Sequence, residues 1–425
     1  MKIELQDLSP VRKTLAIEAD AEEVEQETEA VLRTYARRAK VPGFRPGKVP
    51  LALLRTRYAH EIREDVRERL LSKLYTAATA QKGLKPLGEP HLDELSHEEN
   101  QPFRFRTTFE VQPEFTVKEY RGIEVREPAA AVTDAEVEQA LEDLRKSQVR
   151  LVTEEGRAAS TGDVVVADVD GVPEGGEPFR RERVLIEVGA SSNLPAFNEG
   201  ILGAVTGSTP EFSVSYPKDY DAKHLAGRTV RYHMVVHEVK RTEYPSLDDE
   251  FAKDLGDFEN LAAVREKIRT DLERRKRAEA VAAVREGVLD KVLLANPIPL
   301  PEVLVQEETQ HRLEDVVRAM IVQGLDPRQM EIDWKQLRER QEEPARKAVH
   351  ARLLLDSVAG TESIVVEPQE IEDRIRKEAK RIGQDPRELR KGLSKGGGLE
   401  ALKNQMVREK TLDFLTSIAN IHPEG

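Results

Sequence analysis

Apolar positions along this chain change their period from region to region, and the changes mark its elements. Residues 1–18 alternate weakly, as a strand with a turn at Ser9-Pro10 would. Asp20 suits a helix N-cap, and Glu22, Glu23 and Glu25 follow where the positive end of the helix dipole favours acids. Val24, Val31 and Tyr35 share one face of that helix, which stops near Lys40 because Val41-Pro42-Gly43 cannot easily continue it. Pro50 opens the next helix; Ile62, Val66, Leu70 and Leu74 form its apolar stripe, and Gly83 and Pro86 close it. Phe103, Phe105, Thr107 and Phe109 then alternate like a half-buried strand. Residues 1–112 therefore read as an α+β domain with a loop, 41–49, between two helices.

Thr133 with Glu136 makes a capping-box pattern that opens a helix to about Arg150. Residues 153–162 read as loop. The period then shortens to two: Val164-Val165-Val166, Val184-Leu185-Ile186, Phe212/Val214/Tyr216 and Val230/Tyr232/Met234/Val236 predict strands of a small, mainly β domain. After Pro245 the pattern is helical to the end, with Leu261, Val264, Ile268 and Leu272 on one stripe and breaks at Pro297, Pro299 and Pro301. Further helices are expected near 302–323, 333–359, 367–382 and 399–419, the last after a glycine joint at 396–398.

Composition narrows the function classes. A chain of 425 residues exceeds one ordinary core, and 39% hydrophobic against 34% charged residues suits thin cores with much surface. The absence of cysteine excludes disulfides, thiolate metal sites and cysteine nucleophiles. No stretch has the length of a membrane span, and the N-terminus lacks a signal-peptide core, so the expected setting is the cytoplasm, away from membranes. A net charge of −13 argues against general nucleic-acid binding. Yet residues 31–60 hold Arg33, Arg37, Arg38, Lys40, Arg45, Lys48, Arg55 and Arg57 and no acid, which is either a local electrostatic footprint or a solvated basic face.

Within that basic segment lies Val41-Pro42-Gly43-Phe44-Arg45-Pro46-Gly47-Lys48-Val49-Pro50. Its glycines and prolines set a tight, preformed loop that projects one aromatic and two cations. Such a loop can wedge Phe44 into an apolar pocket while Arg45 and Lys48 meet phosphate or carboxylate. A phosphate-cradling loop is excluded, because the glycine spacing is one short and Val49, not Ser or Thr, follows Lys48. A structural turn with a buried Phe44 is the plain alternative, although the neighbouring charges would be costly to bury. The string resembles the Gly-Phe-Arg-x-Gly-Lys ribosome-docking signature of the trigger factor family, carried here by Gly43, Phe44, Arg45, Pro46, Gly47 and Lys48.

A second resemblance lies in the β domain. Asp168-Val169-Asp170-Gly171, Phe179, Leu194-Pro195-Ala196-Phe197 and Tyr216-Pro217-Lys218-Asp219-Tyr220 are similar in order to an FKBP-type peptidyl-prolyl isomerase. That likeness implies a sheet curled about a short helix, with Phe179, Phe197, Tyr220 and Tyr232 as pocket walls and the Leu194 N–H as holder of the substrate carbonyl. The copy departs from the pattern at Val169, Arg180, Asn193, Ala196 and Asp221, which implies a more open, more polar pocket and weak isomerisation. His233 and His237 share a strand face but stand roughly 13 Å apart at strand rise, too far for one metal.

The family resemblance spans the whole chain and implies a multidomain α+β protein. Its parts would be an N-terminal α+β ribosome-binding domain (1–112), a linker and helix (113–150), an inserted FKBP-like β domain (161–242) and an elongated all-α C-terminal chaperone domain (246–425). The implied partners are the large ribosomal subunit at the tunnel exit, through protein and rRNA, and nascent or unfolded polypeptides. A homodimer off the ribosome is a family-level expectation. No nucleotide motif or other cofactor signature is present, so holding would proceed without ATP. A stand-alone prolyl isomerase and a non-catalytic assembly scaffold are the alternatives.

Overall fold

The structure is a computed structural model and describes residues 1–38, 42, 44, 49–97, 101–154, 156–223, 225–330 and 332–424. The chain divides into two units, Met1–Pro128 with Val281–Gly425, and Ala129–Ala280.

The first unit opens with the hairpin β1 (Lys2–Ser9) and β2 (Arg12–Ala19), turned where Ser9-Pro10 predicts. Asp20 caps α1 (Ala21–Arg38) by accepting the Glu23 N–H at 2.9 Å. The single helix expected from Pro50 is two, α2 (Leu51–Arg57) and α3 (Ala59–Gln81). They part at Tyr58, whose φ of −115° and ψ of 32° leave the helical region without any Gly or Pro to announce it. β3 (Pro86–Ser96) and β4 (Phe103–Val111) complete an antiparallel sheet of order β1-β2-β4-β3. Leu15, Ile17 and Phe103 of the sheet meet Val31 of α1 and Ile62, Val66, Leu70 and Leu74 of α3 in one core. Each fully buried side chain of this size contributes about 1.5–3 kcal/mol. β5 (Glu124–Glu127) ends this part.

The second unit starts at α4 (Asp134–Ser147), closed by the predicted capping box. The Thr133 hydroxyl accepts the Glu136 N–H at 3.3 Å, and the Glu136 carboxylate accepts the Thr133 N–H at 2.9 Å. The helix stops before Arg150, which instead opens β6 (Arg150–Thr153). β7 (Val164–Pro173), β8 (Phe179–Glu187), the short α5 (Pro195–Ile201), β9 (Glu211–Ser215) and β10 (Thr229–Glu243) follow. The sheet runs β6-β10-β7-β8, with β9 also on β10. Register sets Tyr232 opposite Gly171, Met234 opposite Val169 and Val236 opposite Ala167, so the alternation buries one face of both strands. α6 (Asp249–Leu255) and the first part of α7 (Leu261–Ala295) enclose a small core of Leu141, Phe251, Ala252 and Val264.

The chain then returns to the first unit through α8 (Glu302–Val322), α9 (Trp334–Glu362), α10 (Pro368–Ile382), α11 (Pro386–Ser394), α12 (Gly398–Ser417) and β11 (Asn420–Pro423). Val284, Val288 and Val292 pack with Leu354, Val358 and Leu415. β11 pairs in parallel with β5, Ile421 opposite Val125. Buried Asn296 anchors the segment before β5: its Oδ1 accepts the Lys118 N–H at 2.7 Å, and its carbonyl lies 2.8 Å from His350 Nε2. Among the described residues no helix is long and apolar enough to cross a membrane.

Candidate functional site

Two places carry the chemistry that the sequence singles out. The first is the connection between α1 and α2. Of its signature residues the structure describes Phe44 alone; Gly43, Arg45, Pro46, Gly47 and Lys48 lie outside the described residues. Phe44 is 42% exposed, whereas Val49 is 5% exposed and joins the core with Leu54. The helices on either side are braced. Arg55 of α2 reaches Glu25 of α1 at 2.6 Å, and the Tyr35 and Tyr58 rings stand 5.8 Å apart. Of the basic run, Arg33 is paired with Glu29 at 2.9 Å. Arg38 and Arg57 have no ion-pair partner among the described residues, so some of the positive charge stays uncommitted.

The second place is a pocket of about 660 Å³ on the curled sheet of the second unit. Phe179, Leu194, Phe197, Tyr220 and Tyr232 all line it, together with Val169 and Tyr216. Tyr232 forms the floor, with Phe197 at 5.2 Å and Phe179 at 6.2 Å in edge-on contact and Phe212 stacked behind at 5.6 Å. The Tyr216 and Tyr232 hydroxyls share a 2.5 Å hydrogen bond. Burial pushes the Tyr232 phenol well above its ordinary range, so it stays neutral. Glycine packing makes room for the rings. A Cβ on Gly171 would fall 2.2 Å from the Phe179 ring, and one on Gly200 would fall 2.2 Å from Phe212.

Leu194 stands as N-cap of α5, and among the described residues its N–H donates no hydrogen bond. Its neighbour Asn193, polar where the family pattern is apolar, turns its amide to the backbone. Asn193 Nδ2 donates to the Glu187 carbonyl at 2.9 Å and to Asn198 Oδ1 at 3.0 Å, while Asn198 Nδ2 donates to the Ala190 carbonyl at 3.1 Å. The loop that presents Leu194 is thereby stapled at both ends. Arg180, which also lines the cavity, pairs with Asp168 at 3.4 Å and Asp170 at 3.6 Å. Asp168 sits at the β7–β8 bulge; the Arg183 N–H at 2.8 Å, with His237 at 3.0 Å, holds its carboxyl below the usual range. His237 thus belongs to a polar cluster with Asp168 on the face opposite the pocket floor. Tyr216 and Arg181 join the lining without having been singled out as walls. Period two along β8 from Phe179, and along β9 toward Tyr216, is the signal that places them there.

The described site groups hold no nucleophile–base pairing; their chemistry is shape, aromatic surface and one free N–H. Comparison with known proteins adds lineage to this geometry. The family model described as bacterial trigger factor protein (TF) matches residues 1–144, and that described as its C-terminus matches residues 260–417. A trigger factor of Solibacter usitatus is 34% identical over 95% of this chain and 96% of its own length. One from a Geobacillus species is 33% identical over 99% of this chain and 100% of its own. A solved structure described by promiscuous substrate recognition in folding and assembly activities of the trigger factor chaperone shares the fold, with TM-score 0.51 and 22% identity over 98% of this chain and 99% of that one. The chain belongs to the bacterial trigger factor family of chaperones.

Proposed function

We propose that this chaperone works in the cytoplasm, docked by its 41–49 loop on the large ribosomal subunit beside the tunnel exit. There Gly43, Phe44, Arg45, Pro46, Gly47 and Lys48 contact ribosomal protein and rRNA, and the helical body, 246–425, holds nascent or unfolded polypeptide without ATP. Residues 1–112 are the docking domain, 113–150 the linker and helix, and 161–242 an isomerase-like insert. Off the ribosome the same reading pairs the chain with a second copy. The observation that carries the docking assignment is the exposed Phe44 ring set against a buried Val49 and a braced pair of helices. An aromatic held in water on a stiff base is an anchor awaiting a pocket. The test is cosedimentation with ribosomes of the triple variant Phe44→Ala, Arg45→Ala, Lys48→Ala. Loss from the pellet is expected; pelleting equal to the parent would remove the assignment.

In the insert, the reaction the pocket suits is prolyl cis–trans isomerisation. The barrier of about 18–20 kcal/mol comes from lost amide resonance. The twisted transition state is less charge-separated than the planar amide, so a dry aromatic floor favours it, and the Leu194 N–H holds the neighbouring carbonyl. No proton transfer is required. Activity on a Phe–Pro peptide is expected to be weak, because the open, charged rim admits water. Turnover equal to that of ordinary prolyl isomerases of this fold would contradict the weak-activity reading.

A further inference from the structure

One charged group at the pocket is uncommitted. Among the described residues the Arg181 side chain forms no ion pair or hydrogen bond, although Arg180 beside it reaches Asp168, Asp170 and Glu182. Arg181 pairs across β7 with Val169, which faces the pocket, so its side chain stands on that face and lines the cavity with Phe179 and Tyr232. Its charge reaches the pocket floor, where it favours the Tyr232 phenolate against the larger effect of burial. Glu187, at the far end of β8, pairs with Val164, which alternates with the buried Val165 and Ala167, so its side chain stands on the opposite face from that of Arg181. The Leu194 N–H lies near that end, where Asn193 is bonded to the Glu187 carbonyl.

We propose that Arg181 makes the pocket selective for prolyl segments flanked by an acidic residue. An X–Pro unit seated on Tyr232 and tethered at Leu194 puts one flank beside the guanidinium. Aspartate or glutamate there gains a charge-assisted hydrogen bond, and a lysine or arginine there meets an unpaired cation. Which flank it is depends on strand direction, and the experiment reads it. This inference rests on the pocket being a prolyl-peptide site.

The test is calorimetric titration of the full-length protein with three blocked peptides: Glu-Phe-Pro-Gln, Gln-Phe-Pro-Glu and Gln-Phe-Pro-Gln. One acidic peptide should bind about fivefold tighter than the neutral one at low salt, the size of a partly exposed ion pair. The gap should close at about 0.5 M salt, where screening acts within a few ångströms. Arg181→Gln should bring the acidic and neutral peptides to equal affinity, and Arg181→Glu should invert their order. Arg181 holds no structural partner, so both variants should keep the parent's thermal midpoint. If all three peptides bind alike, or the preference survives Arg181→Gln, the selectivity is wrong and the pocket stands. If none binds, the prolyl-peptide reading falls and takes the selectivity with it.

Discussion

A side chain missing from one residue decides the shape of the isomerase-like pocket. Phe179 can lie across the sheet only because Gly171 opposite it has no Cβ; the distance to a built Cβ is 2.2 Å. Gly171→Ala should swing the ring off the floor and cost about 1–3 kcal/mol of overpacking strain. The expected readout is loss of peptide binding to the insert with unchanged ribosome pelleting. A variant that still binds peptide like the parent would show that Phe179 is not a wall. At this scale the sequence was informative where a motif string names its residues. Phe179, Leu194, Phe197, Tyr220 and Tyr232 converge on one cavity although they lie far apart in sequence. Asn193 and Arg180 line the same cavity, but the partners they bond, the Glu187 carbonyl and Asp168 with Asp170, are a matter of side-chain direction that identity alone does not carry.

Elements were legible where burial imposes a period. The stripe Ile62, Val66, Leu70 and Leu74 is fully inside, and the Asp20 and Thr133 caps bond as their positions suggested. β3 was not foreseen because it is an edge strand with two register shifts and is mostly exposed, so no face is apolar enough to alternate. β5 and β11 escaped for another reason: they are short, exposed apart from Val125, and paired from Glu124 to Asn420, far apart in sequence, so they leave no local pattern. α11 has Leu389 and Leu393 half-buried and no fully buried residue, so its short stripe passes for loop. The α4 cap also offers a pH test. Lys276, and next the Thr133 N–H, hold the Glu136 carboxyl down at about 2, from an ordinary 4.5. A carboxyl lowered on folding stabilises fully above its unfolded value and loses that contribution as pH falls toward the folded one. Glu136→Gln should therefore lower the thermal midpoint near about pH 7, and the gap to the parent should narrow between about pH 5 and about pH 3. A gap constant across that window would mean that the ion pair with Lys276 contributes nothing.

For the whole molecule the question is whether docking and holding are separate properties. The described surface of the helical part has an apolar concentration at the α8–α9 turn. Ile321 is 60% and Val322 83% exposed, and Leu325, Met330 and Trp334 are exposed beside them. Large apolar groups rarely gather in water without a partner, and a client segment with scattered apolar side chains is a partner they would cover weakly and without sequence preference. Neither helix needs these residues for its own core, because α8 and α9 meet through Val305, Ala345, Val349 and Leu353. Ile321→Ser, Val322→Ser and Leu325→Ser together should leave the helical signal and the thermal midpoint as they were. Ribosome pelleting should also persist, since the 41–49 loop is untouched. Suppression of aggregation of a chemically unfolded protein should fall several-fold. Should it stay at the parent level, client holding must reside on other apolar positions of the helical body, and the exposed turn would need a different partner to explain it.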